Sequence, residues 1–133
     1  MDTLLIDDDA IGIFLTERLL KKEAFSTDIA ALPSAAEALA FLAEAPEADL
    51  PRVIFLDLNM PVMDGWELLE ALRPHEARLH NRCRIYVLTS SLAYSDTARV
   101  DDFSLVAGLI HKPIDSLQIQ AVRTQMAELA SNL

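Results

Sequence analysis

The residues whose types and spacing suit phosphate chemistry are the adjacent acids Asp7 and Asp8, then Asp57, Thr89 and Lys112. Each closes a short apolar run: Leu4-Leu5-Ile6, Val53-Ile54-Phe55-Leu56, Ile85-Tyr86-Val87-Leu88 and Leu109-Ile110-His111. Carboxylates gathered at one edge repel, and like charges within a few ångströms raise at least one pKa unless a proton or cation offsets them. A hard divalent ion suits such acids, and Mg²⁺ (or a similar ion such as Mn²⁺) binds through one or two carboxylates while keeping waters and phosphate oxygens. His111 is the sole His or Cys near these positions, which argues against zinc. Lys112 would offer a point charge to a phosphate oxygen and Thr89 a hydroxyl. Asp57, at the end of the most apolar run, is the best nucleophile: an ionised carboxylate can attack phosphorus and form an acyl phosphate. Cation and lysine would then stabilise charge on the transferring phosphoryl group.

These residues converge only if their runs are neighbouring strands. Between the runs lie helical patterns. Ile11, Phe14, Leu15 and Leu19 recur at helical spacing toward Lys21-Lys22, a basic pair suited to a helix C-terminus. Thr27 to Leu32 reads as a weaker strand, and Ser34 with Glu37 as a capping box ahead of Ala35, Ala38, Leu39 and Leu42. Asp64-Gly65 marks a turn before the helix of Trp66, Leu69 and Leu72, and Arg73 to Arg84 reads as a polar, basic connector. A poorly patterned helix falls within Ser95 to Phe103. Asp115 or Ser116 caps the last helix, whose stripe is Ile119, Val122, Met126, Leu129 and Leu133. Strands alternating with helices require crossover connections, hence a parallel sheet covered on both faces, a three-layer α/β/α sandwich. Ligands of such sheets sit at the carboxyl ends of the strands, where the polar residues collect.

Composition excludes several classes. The 133 residues fit one domain, residues 1–133, and leave no room for a second of ordinary size. With 52% hydrophobic residues the chain can pack a core. Its net charge of −10 disfavours nucleic acid and anionic lipid as partners. One cysteine, Cys83, permits no internal disulfide and fits a reducing, cytoplasmic compartment. Neither a signal peptide nor an apolar run long enough to span a membrane is visible.

The Asp7-Asp8 pair, Asp57 within Leu56-Asp57-Leu58-Asn59-Met60-Pro61-Val62-Met63-Asp64-Gly65, Thr89 after a β-branched strand and Lys112-Pro113 together resemble the receiver domains of two-component response regulators. The order and spacing match over essentially the whole chain. The resemblance implies a flavodoxin-like (βα)5 fold with sheet order 2-1-3-4-5, an order that general accounts of doubly wound folds already illustrate with a chemotaxis receiver. It implies that Asp57 takes a phosphoryl group from a histidine of a sensor kinase or phosphotransfer protein. Asp8, Asp57 and the backbone carbonyl of Asn59 would bind Mg²⁺ directly, with Asp7 acting through water. Thr89 would swing toward the phosphoryl group, Lys112 would contact it, and the Lys112-Pro113 bond would be cis. In that family the positions of Asn59 and Ser91 tune phosphate lifetime, though a plain loop role suits Ser91 equally. Ser90 is small, as the resemblance expects beside the phosphoryl group, and otherwise reads as a strand-exit residue. The face of the fourth helix, fifth strand and fifth helix would meet downstream proteins. A stand-alone receiver without an output domain is expected, a monomer or weak dimer that signals through partners or a phosphorelay and turns over no separate substrate.

Blander roles are expected for the remaining polar residues. Asp9 suits a helix start, His75 and His80 the surface, Asp101-Asp102 a solvated helix face, His111 and Trp66 packing, and Cys83 a structural position. A pseudo-receiver would have lost the acids or the lysine, all of which are present. A phosphatase with an aspartyl nucleophile would usually carry an acid two residues later, where Asn59 stands. The family usually has Tyr or Phe three residues before the lysine, where this chain has Leu109. Output is therefore expected to travel through movement of the loop after the fourth strand rather than through a ring flip.

Overall fold

The computed structural model describes residues 1–90 and 94–131. Strands β1 (Thr3–Ile6), β2 (Ile29–Leu32), β3 (Val53–Asp57), β4 (Arg84–Thr89) and β5 (Val106–His111) form one parallel sheet in the order β2-β1-β3-β4-β5. Helices α1 (Ala10–Lys22), α2 (Ala35–Glu44), α3 (Gly65–Ala71), α4 (Glu76–Leu79), α5 (Tyr94–Arg99) and α6 (Ser116–Ser131) connect and cover it. Side chains alternate along each strand and so divide the core. Leu4, Ile6, Ile54, Leu56, Ile85 and Val87 pack with α2, α3 and α4 on one face. Leu5, Val53, Phe55, Tyr86, Leu88 and Ile110 pack with Leu20 of α1 and with Ile119 and Val122 of α6 on the other. Both faces of β3 are buried along its whole length, which is why its sequence is apolar without alternation.

Helix ends follow local chemistry. The Asp9 carboxylate caps α1 by accepting from the Ile11 N–H, and Lys21 and Lys22 occupy its last turn. Ser34 caps α2 through the Glu37 N–H, but the Glu37 carboxylate meets the Ser34 hydroxyl rather than its backbone N–H, so the expected capping box is half formed. Complete boxes stand instead at α3, between Asp64 and Glu67, and ahead of α6, between Asp115 and Gln118. Asp115, not Ser116, is therefore the residue that caps the last helix.

The stretch from Arg73 to Arg84 differs from the expected connector: a 3-10 turn (Arg73–His75) leads into the short α4. Pro74 sits in the first turn, where its missing N–H costs nothing, while Leu79 and Cys83 turn inward one helical turn apart and are fully buried. The Arg78 guanidinium donates to the Leu42 carbonyl and ties this segment to α2. Strand β2 begins at Ile29, two residues later than the sequence pattern places it. The poorly patterned helix resolves into α5 followed by a 3-10 turn (Val100–Asp102). In α6, Ile119 and Val122 are buried and Met126 is half-buried, while the side chains of Leu129 and Leu133 lie outside the described residues.

Candidate functional site

The sheet order sets β1 beside β3, so Asp7 and Asp8, directly after β1, meet Asp57 at the end of β3. One carboxylate oxygen from each of these three residues lies within 4.8 Å of the others, and no other such cluster of acids, His or Cys occurs among the described residues. Asp7 and Asp57 are buried, at 6% and 3% exposure, whereas Asp8 faces solvent. By strand alternation Asp57 follows Val53 and Phe55, and Asp7 follows Leu5, toward the face covered by α1 and α6.

Lys112 arrives from the other side. Its position next to the sheet is fixed by the Lys112 N–H, which donates to the Thr89 carbonyl at 2.8 Å and carries the β4–β5 ladder one step further. The ammonium Nζ stands 3.2 Å from Asp57 Oδ1 and 3.7 Å from Asp7 Oδ2. The Lys112-Pro113 peptide bond is cis, as the sequence resemblance implied. Burial pushes the Asp7 carboxyl above the usual carboxylate range; the Asp9 N–H and Lys112 pull it down and Asp57 pushes it further up. One lysine thus offsets three carboxylates only in part. The cluster is all hard oxygen, two of its members are withdrawn from water, and its charge is unbalanced, so the residues present fit a divalent cation such as Mg²⁺.

The loop after β3 is held tightly. The Asn59 N–H donates to Asp57 Oδ1 at 3.1 Å, the Leu58 N–H to the Leu88 carbonyl at 3.0 Å, and the Gly65 N–H to the Leu58 carbonyl at 3.1 Å. Between them the Met63 N–H closes a three-residue turn onto the Pro61 carbonyl, with Val62 at φ 70° and wholly exposed. A positive φ at a β-branched residue is a strained arrangement that the surrounding bonds must hold.

Thr89 is buried at the end of β4, and alternation sends its side chain to the opposite face from Asp57 and Lys112, the face of Val87 and Leu109. One bond of its hydroxyl is to Asp96 Oδ2 of α5, at 3.5 Å. Leu109 is half-buried and packs against the core where the family usually carries a ring. Ser90 borders the site, and Ser91, with the rest of the loop expected to move, lies outside the described residues.

The blander expectations mostly hold. Asp9 caps α1, Asp101 and Asp102 are exposed, His80 is exposed and His75 half-buried. Trp66 stacks on Phe103 at 5.9 Å between centroids, and the Arg99 guanidinium covers it at 4.5 Å. Cys83 is buried. His111, expected to pack, is instead exposed, because the last residue of β5 lies at the sheet's edge beyond the covering helices.

Two glycines matter through contacts that the sequence does not show: Gly65, expected only as a turn residue, and Gly12, not singled out. A Cβ on Gly65 would come within 2.8 Å of Leu58 Cα and 2.9 Å of the Asp57 carbonyl oxygen, so α3 can start this close to the acid only with glycine there. A Cβ on Gly12 would meet Asp7 Oδ2 at 3.2 Å, so glycine leaves room beside the cluster. Both signals were legible as glycines placed at a helix start near an acid, but neither contact is visible without the fold. Beside the site a cavity of about 660 Å³ opens between α1 and the segment after β5, lined by Asp7, Gly12, Leu15, Lys112 and Pro113 among others.

The model of the response regulator receiver domain family matches residues 3–123. Among solved structures, a two-component response regulator from Cytophaga hutchinsonii superposes with a TM-score of 0.87 at 28% identity, covering 96% of each chain. A response regulator receiver protein from Dyadobacter fermentans superposes with a TM-score of 0.82 at 26% identity, over 95% of this chain and 97% of that one. Among curated proteins, hybrid signal transduction histidine kinase L of Dictyostelium discoideum is 30% identical over 125 residues, which is 90% of this chain and 7% of that kinase. The chain spans about half the length, or less, of the curated relatives it matches.

Proposed function

The chain belongs to the response regulator receiver domain family of two-component signalling, and on that premise we propose that Asp57 is its phosphoacceptor. Receiver domains are signalling modules that interact with histidine kinases and downstream effectors. The observation that carries the proposal is the placement of Asp57: a buried carboxylate among Asp7, Asp8 and Lys112, with one oxygen already bonded to Lys112 Nζ and the Asn59 N–H. Those two contacts hold one carboxylate oxygen in place and leave the other to attack.

In the proposed reaction that oxygen attacks the phosphorus of a phosphohistidine. The P–N bond breaks and the imidazole leaves with the bond's electron pair, taking up a proton. A divalent cation such as Mg²⁺, when bound, would supply neutralisation of the charge gathered at this site. Asp7, Asp8, Asp57 and the Asn59 carbonyl are the residues that would hold it. Lys112 is drawn from its ion pair with Asp57 to a phosphoryl oxygen as the carboxylate becomes an ester-like acyl phosphate. The Thr89 hydroxyl donates to another phosphoryl oxygen after leaving Asp96. Leu109, smaller and more flexible than a ring, fills space behind Thr89, so the change passes to α5 through the backbone after β4. The protein turns over no separate substrate on this reading.

Its phosphodonor is a sensor kinase or a phosphotransfer protein acting in the cytoplasm. The 660 Å³ cavity, whose lining includes Asp7 and Lys112 of the same cluster, is the approach proposed for the donor. The wall of that cavity is α1, whose Ile11, Phe14 and Leu15 are exposed at 71%, 57% and 57%, an apolar surface suited to the donor protein. The face of α5, β5 and α6 (the fourth and fifth helices expected from sequence, with the strand between them) would meet the downstream partner. Among the described residues no helix is long and apolar enough to cross a membrane. The protein would act as a monomer or weak dimer.

The test is incubation with Mg²⁺ and acetyl phosphate followed by intact-mass measurement. One added phosphoryl group is expected in the parent protein and none in Asp57→Asn. No added mass at any Mg²⁺ concentration would favour a pseudo-receiver that binds partners without phosphorylation.

A further inference from the structure

At the opposite, amino-terminal ends of the strands lies a second concavity, of about 260 Å³, lined by Phe25, Val53 and Met126 with Arg52 and Arg123 beside them. It is about 13 Å of β-strand from the acid cluster, since Thr3 and Asp7 are four residues apart at about 3.3 Å each. Thr3, at the start of β1, is fully buried and borders the cavity. Alternation turns its side chain the same way as Leu5, toward the face of α1 and α6 on which the cavity lies. The hydroxyls of Thr3 and Ser26, both bordering the cavity, are shielded from solvent and bond no group among the described residues. Buried hydroxyls left unbonded are costly and uncommon, so a pair at one cavity needs a partner.

The charges beside them indicate which partner. Arg52 and Arg123 are exposed, and neither pairs with a carboxylate among the described residues; Arg123 spends one N–H on the Glu23 carbonyl. Against these two cations the cavity wall carries one acid, Asp2. In a chain of net charge −10 this is a locally cationic spot. The rest of the wall is apolar, from Phe25, Val53 and Met126.

We propose that this cavity binds a small organic anion, a carboxylate or phosphate monoester on a short hydrocarbon body. Its oxygens accept from Arg52 and Arg123 and, with the wall opened by a side-chain shift on binding, from the solvent-shielded Thr3 and Ser26 hydroxyls, and its hydrocarbon packs on Phe25, Val53 and Met126. The site is separate from Asp57 and stands whether or not Asp57 is phosphorylated.

The test is thermal unfolding and amide NMR of the full chain, with Mg²⁺ chelated, in hexanoate, hexyl phosphate or inorganic phosphate at about 10 mM each. Hexanoate or hexyl phosphate is expected to raise Tm and to shift the amides of Thr3, Ser26 and Val53. Which of the two binds more tightly tells a carboxylate from a phosphate source. Arg123→Ala is expected to weaken binding about tenfold, the effect of removing one charged donor. Thr3→Val, which keeps the side-chain shape and deletes the unbonded hydroxyl, is expected to melt higher than the parent without ligand and to lose most of the ligand response. A lower Tm for Thr3→Val would show that the hydroxyl already has its partner in the protein. Equal responses in parent and both variants would place the anion elsewhere. Response to inorganic phosphate alone would contradict the apolar wall's role, and no response to any of the three would leave no ligand of this class. Each of these four results overturns the proposal.

Discussion

Replacing Gly65 with alanine tests whether close packing behind Asp57 sets the site. The added Cβ would lie 2.8 Å from Leu58 Cα, 2.9 Å from the Asp57 carbonyl oxygen and 2.9 Å from Leu58 Cδ2. Ordinary carbon contacts begin about 0.7 Å further out. Leu58 Cδ2 can swing away, but the other two atoms are backbone, so the start of α3 and the end of β3 must part by roughly that distance. Overpacking of this kind costs about 1–3 kcal/mol. At about 2.1 cal/mol/K per residue the 133 residues give an unfolding entropy near 0.28 kcal/mol/K, so Tm should fall by about 4–11 °C. The displaced atoms include the Asp57 backbone and the loop whose Asn59 N–H orients its carboxylate, and misplacement of a reacting group by about 1 Å costs up to about 100-fold in rate. The assay pairs thermal unfolding with the rate of phosphorylation by acetyl phosphate, at a temperature where both proteins are folded. A Gly65→Ala protein that melts within about 1 °C of the parent and is phosphorylated at the parent's rate would refute the packing account.

Three further outcomes follow from the site and the core. Asp7 carries a folded-state pKa above its unfolded value, so it favours the fold below the ordinary carboxylate range, and that contribution is lost as pH rises through the folded value. Asp7→Asn, measured by denaturant unfolding with metal chelated, should therefore raise stability at neutral pH and flatten its pH dependence; a less stable variant at pH 7 would contradict this. Lys112→Ala removes the cation 3.2 Å from Asp57 and should slow phosphorylation by about 100-fold while Mg²⁺ titration remains saturable; an unchanged rate would remove Lys112 from the mechanism. Burial holds the Cys83 thiol up at about 11, so alkylation by iodoacetamide at pH 8 should be slow in the native protein and fast in urea, and equal rates would mean that the segment around α4 opens freely.

How much was legible in the sequence depended on the range of the interactions. Asp9, Asp64 and Asp115 announce helix starts because a cap needs only the next few residues. The apolar run of Val53 to Leu56 announces a central strand because both of its faces are buried. The short α4 was hidden inside a basic, proline-containing stretch, since the burial of Leu79 and Cys83 depends on what packs over them rather than on local propensity. The half-formed box at Ser34 shows the limit of even a local pattern, because side-chain rotamers chose a different partner from the same two residues.

The sequence by itself determined the chemical inventory: carboxylates, a hydroxyl and a lysine, each closing an apolar run and in an order that resembles one family. Only the tertiary structure decided their distances. The neighbouring of β1 and β3 brings Asp7 to Asp57, the ladder bond to Thr89 brings Lys112 within 3.2 Å, and glycine at position 65 lets α3 begin against the Asp57 carbonyl. The same geometry set the raised pKa of Asp7 and left the Thr3 and Ser26 hydroxyls at the far end of the sheet without a partner among the described residues. The physical reason is that residue type carries charge and hydrogen-bonding capacity along the chain, whereas electrostatic strength and polar satisfaction depend on burial and separation, which are set by strands far apart in sequence.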